Sequence, residues 1–167
     1  MGSAELFSLL DVIQQQTLRV SALALAVYLY KFRKLDSFTI VLALMCCADL
    51  LHMGAENGLY LLYESHPELA KRAWYFTFAF ADFLFAFAAY KACDMANVNV
   101  GKIARVMMLT YLFLGFCQLI RYADRFLINT DALGGFYSAI TPAVNSCIAI
   151  TVLIYTLITV FSYSNKS

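Results

Sequence analysis

Five apolar stretches, at about 17–32, 38–63, 73–93, 103–128 and 136–163, fill most of this 167-residue chain and leave only short polar connectors between them. A helix of ~20 mostly apolar residues crosses the ~30 Å hydrocarbon core of a bilayer. The composition points the same way: 62% of residues are hydrophobic and 14% charged, against roughly 45–50% and about 25% in soluble domains. So short a chain cannot hide that much apolar surface from water in one core. The expected fold is therefore all-α, a polytopic integral membrane helical bundle forming a single transmembrane domain over residues 1–167. The connectors, at 33–37, 64–72, 94–102 and 129–135, are short enough to make consecutive helices antiparallel neighbours.

The first stretch has two readings. Arg19 and the run Gln14, Gln15, Gln16 stand near its start, while Leu6, Leu9, Leu10, Val12 and Ile13 precede it. Residues 5–16 either extend the first of about five spans, or form an interfacial amphipathic helix that leaves four spans. No basic segment followed by an apolar run and a small-residue cleavage site marks a signal peptide, so the first helix is expected to stay in the fold.

Orientation is read from basic residues near the span ends. Lys31, Arg33, Lys34, Lys91, Lys102, Arg105 and Lys166 fall on one side, and Arg19, Lys71, Arg72, Arg121 and Arg125 on the other. The bias of seven to five places the N-terminus outside and the C-terminus in the cytoplasm of a plasma or inner membrane. Tyr60, Tyr63, Trp74, Tyr75, Phe136 and Tyr137 mark an aromatic belt at the outer boundary.

Several function classes drop out. A net charge of +1 offers no basic stripe for nucleic acid. Cys46, Cys47, Cys93, Cys117 and Cys147 all lie in apolar segments without paired spacing, which suits buried thiols rather than disulfides or zinc. With His52 and His66 the only histidines, no metal or other cofactor is expected. Hydrolase, P-loop and dinucleotide motifs are absent, so the chain is read as non-catalytic.

The informative residues are polar ones inside the spans, where ionisable groups are costly and by default functional. Asp49, His52 and Glu56 follow i, i+3, i+7 and share a helix face. Arg121, Asp124 and Arg125 follow i, i+3, i+4 and do the same on the fourth span. At a rise of ~1.5 Å per residue, Asp49 stands about 16 Å above the cytoplasmic end, and Glu56 and Arg121 about 27 Å. Asp82 and Asn145 come near the midplane. Two levels result. Asp49, His52, Asp82 and Asn145 form a titratable layer, and Glu56 with Arg121, Asp124, Arg125 and Gln118 an outer ion-pair gate with a Glu56–Arg121 bridge. Two neighbouring carboxylates in low dielectric cannot both ionise cheaply, so one is expected to hold a proton. That suits a proton or cation path; the plainer reading is hydrogen-bonded groups that fix helix register.

Gly54 and Gly58 make a GxxxG spacing, which serves close packing within the chain or a dimer seam. Pro142 is expected to kink the fifth span, with Asn145 placed to satisfy a freed carbonyl. The aromatics of the third span go most of the way round the helix and must partly face lipid or another subunit.

Two functions follow as expectations. The first is a small homo-oligomer in the lipid bilayer whose acidic layer forms or gates a cation or proton path. The second is a membrane-embedded sensor, anchor or assembly module working with a membrane or cytoplasmic protein partner.

Overall fold

The computed structural model describes residues 16–164. Among these every regular element is helical: α1 (Thr17–Phe32), α2 (Ser37–Ser65), α3 (Pro67–Met95), α4 (Lys102–Tyr122) continued by a π-helical turn (Ala123–Ile128), and α5 (Gly134–Ser164). Four of them, Ser37–Ser65, Pro67–Met95, Lys102–Ile128 and Gly134–Tyr163, are long and apolar enough to cross a membrane. The chain is an integral membrane helical bundle. Its first helix has 16 residues, about 24 Å at 1.5 Å per residue, short of a full crossing. It does not lie apart, because it packs between α2 and α5 and contributes Ala24 and Tyr28 to the core. Residues 5–15, expected to extend this helix or to lie on the membrane surface, fall outside the described residues.

Helix ends are set locally. Asp36 caps α2 by accepting from the Thr39 amide at 2.9 Å, the bond that satisfies an orphan N–H at a helix start. Its other oxygen accepts from the Tyr28 hydroxyl at 2.6 Å, which ties α1 to the start of α2. Nearby, the Gly101 amide donates to Ser37 Oγ at 2.9 Å and ties the α3–α4 connector to the start of α2. The turn between α2 and α3 corrects the expected nine-residue connector at 64–72. It is reduced to His66, because α2 runs to Ser65 and α3 starts at Pro67. Proline at a first helical position loses no hydrogen bond, and Glu68 in that turn complements the helix dipole. Polar residues therefore carry both helices beyond the apolar stretch.

The bundle has two unlike halves. Toward the α1–α2 connector it is solid: Phe38, Val41, Leu42, Met45, Ala89 and Met107 are each at most 3% exposed and belong to one apolar core. Toward the α2–α3 turn the helices stand around a hollow. Taken along their whole lengths, α4 and α5 touch little, while α4 packs extensively on α3 and α5 leans on α1.

Candidate functional site

The hollow half is a cavity of about 780 Å³ lined by residues from all five helices. Helical spacing positions its polar wall. On α2, Asp49, His52 and Glu56 project inward one turn apart; Asp82 enters from α3, Gln118 from α4, and Asn145 from α5. The titratable layer read from the sequence thus lines one space, and Gln118 and Glu56, assigned to the outer level, line it as well. The cavity runs from Asp82, 3% exposed, to surface positions at Arg19 and Tyr60.

Its polar groups are under-satisfied. His52 Nε2 stands 3.7 Å from Asp82 Oδ1, beyond hydrogen-bond length, and has no hydrogen-bond partner. Asp49 faces the hydroxyl of Tyr111, yet its Oδ2 is buried without a partner. Gln118 is better placed, accepting from the Tyr137 hydroxyl at 2.6 Å. Buried polar groups are nearly always hydrogen-bonded, so acceptors left open toward a cavity mark where a polar occupant belongs. Pro142 lies within the unbroken α5 and leaves the Ser138 carbonyl, four residues back, without its helical donor; Asn145 instead lines the cavity.

An aromatic ladder descends one wall. Tyr60 meets Trp74 at 5.8 Å between ring centroids, Trp74 meets Phe78 at 4.9 Å, and Phe78 meets His52 at 5.2 Å. Each is a tilted or edge-to-face contact of the kind aromatic pairs favour. Tyr60 and Trp74 also wall a smaller hollow of about 280 Å³ beside Lys71 and Arg125.

The expected Glu56–Arg121 bridge is not formed. Arg121, 6% exposed, turns the other way, donating to Asp124 Oδ2 at 2.5 Å and to Asp131. Asp124 in turn accepts from Thr130 Oγ1 at 2.5 Å and from the amides of Ala132 and Leu133 at 3.2 and 3.1 Å. These bonds form a clasp that folds the chain from the π-helical turn back into α5, closing at Asn129 with φ 59°, a left-handed stop that asparagine tolerates. Arg125 is engaged elsewhere, donating to the Tyr75 hydroxyl at 3.3 Å and lying over the Phe126 ring. Glu56 keeps company with Tyr60 one turn along α2. The physical reason is distance along the chain: Asp124 is one turn from Arg121, and the loop returns Asp131 beside it.

Among the described residues Gly54 and Gly58 do not pack against another helix, since a Cβ at either would meet nothing within 4 Å. Both are exposed with Asn57 between them. The close helix approach occurs instead at Gly115, where a Cβ would stand 2.8 Å from the Phe83 ring. All five cysteines are free.

Among the cavity residues that sequence reasoning misses are Tyr111, Tyr137 and Thr141. Tyr111, 3% exposed, looked like one aromatic among many in an apolar span. Tyr137 reads from its position as part of the outer belt, and Thr141 carries no charge to mark it; both line the cavity. Helical phase was the available signal, because Tyr137, Thr141, Asn145 and Ile148 follow i, i+4, i+8, i+11 on α5. No family model matches this chain, and neither a curated protein nor a solved structure matches it.

Proposed function

We propose that this protein forms or gates a path for protons or cations across the membrane, with the hollow half as vestibule and Asp49 and Asp82 as the groups that exchange the cation. One observation carries the reading: Asp49, His52, Glu56 and Asp82 line a single cavity, while the one arginine on its wall, Arg19, sits at the exposed rim and is bonded to Gln16. Acidic groups at this depth are costly and belong in a wet or ligand-filled space. The cavity ends against the solid half, so passage requires the layer around Met45 and Met107 to loosen. In this reading the vestibule faces outward, the C-terminus is cytoplasmic, the membrane is a plasma or inner membrane, and no chemical step is catalysed.

The test is ion flux into proteoliposomes. Wild-type protein should pass protons or sodium, and Asp49→Asn and Asp82→Asn should each reduce the rate by about tenfold, the factor set by ~1.4 kcal/mol. Unchanged flux in both variants defeats the reading.

A second reading is a membrane-embedded sensor, anchor or assembly module, or a homo-oligomer built on the same surface. It is favoured by the exposed Gly54, Asn57, Gly58 face of α2. Small residues let helices approach, and a polar Asn beside them offers a hydrogen bond across the seam. Mass measurement of the particle in mild detergent separates a lone chain from an assembly.

A further inference from the structure

We infer that the cavity is a binding site for an organic ammonium cation, a small molecule with a charged amine on an apolar or aromatic body. This deepens the proposed function by naming a substrate class for the same site.

Size comes first. At about 780 Å³ the cavity falls within the ~300–1,000 Å³ of pockets that hold small organic molecules. A bare divalent cation needs a tight shell of 6–8 oxygens, and among the described residues no group of three or more His, Cys, Asp or Glu side chains could hold a metal.

Charge comes next. Asp82 has a side chain 4% exposed, lines the cavity and, among the described residues, makes no hydrogen bond; the open His52 Nε2 stands 3.7 Å away. Asp49 presents a second buried oxygen without a partner. An ammonium group supplies donors to Asp82 and to the open Oδ2 of Asp49, and a charged donor makes the stronger kind of hydrogen bond.

The walls complete the match. The ladder Tyr60, Trp74, Phe78 runs from the exposed rim toward His52 and Asp82. Aromatic faces attract cations, most strongly when water is excluded, and are the usual lining for quaternary ammonium ligands. An anion meets carboxylates here, and a neutral molecule leaves them unanswered.

Trp74 is the only tryptophan in the chain and lines the cavity, so its fluorescence reports occupancy directly. Purified full-length protein in detergent is titrated at neutral pH with benzylammonium and, separately, with benzyl alcohol as a neutral aromatic of comparable size. The expected result is a saturable change in Trp74 emission with the ammonium only. Asp82→Asn should weaken it by about tenfold, Asp82→Glu should retain part of it, and Glu64→Gln on the exposed end of α2 should leave it intact. If Asp82→Asn does not fold, Asp49→Asn and the wild-type comparison of the two probes still decide. No saturable change, or an equal response to benzyl alcohol, overturns the inference. The same preparations are assayed for sodium and proton flux. Aspartate-dependent flux without ammonium binding overturns this inference and spares the proposed path, whereas ammonium binding without flux upholds the site and removes the path.

Discussion

His52 Nε2 lies 3.7 Å from Asp82 Oδ1, two open polar atoms facing each other across α2 and α3 at the floor of a cavity. Neither is consumed by a structural bond. This separates them from Arg121 and Asp124, which are buried and fully engaged. Replacing Asp82 should therefore leave the fold intact: Asp82→Asn is expected to melt within about 1 kcal/mol of wild type in detergent, having no hydrogen bond among the described residues to lose. Thermal unfolding followed by circular dichroism checks this, and a large loss would make Asp82 a structural tie.

The Arg121 clasp predicts the opposite behaviour. Arg121→Gln removes the cation beside the carboxylate of Asp124, which is 6% exposed, and leaves it only the neutral donors of Thr130, Ala132 and Leu133, so the variant should be clearly less stable than wild type. Glu56→Gln, which touches none of the clasp, should cost little. The two variants compared by denaturant unfolding in micelles distinguish a clasp on the loop from a gate across the cavity.

The solid half predicts a pairing of effects. Met45 is 0% exposed, and truncation of such a residue to alanine costs about 2–5 kcal/mol. If this layer is what closes the path, Met45→Ala should lower stability and at the same time raise proton leak into proteoliposomes. Lower stability with unchanged leak would mean that the barrier lies elsewhere.

The glycine face of α2 gives a fourth expectation. A side chain at Gly54 or Gly58 meets nothing within 4 Å, so Gly54→Leu should not destabilise the single chain. It should reduce the mass of any assembly seated on that face, read by light scattering of the detergent particle.

Much of this arrangement was legible from spacing. Helical phase puts Asp49, His52 and Glu56 on one face, and counting rises puts Asp82 and Asn145 at a similar depth; these residues do line one space. Phase and depth are properties of a single helix, which is why a sequence carries them. The partner of Arg121 is not such a property. It depends on a π-helical turn that shifts the register after Tyr122 and on a loop that carries Asp131 back ten residues later. The start of α3 was obscured because 64–72 reads as polar, and polarity marks the edge of the lipid rather than the end of a helix. Tyr111 was illegible for a third reason: a hydroxyl on an apolar span has no meaning until its neighbour, Asp49, is known.

The central claim is a cavity reachable from one face of the membrane and sealed from the other, and cysteine access measures it directly. In a background with Cys46, Cys47, Cys93, Cys117 and Cys147 replaced, single cysteines are placed at Thr141, at Asn145 and, in the packed half, at Val152, which is 0% exposed. Vesicles are then treated on each side in turn with a membrane-impermeant thiol reagent. The expected result is labelling at Thr141→Cys and Asn145→Cys only from the face that bears the α2–α3 turn, with Val152→Cys unreactive from both. Labelling of Asn145→Cys from the opposite face, or of neither cavity position from any face, contradicts a one-sided vestibule.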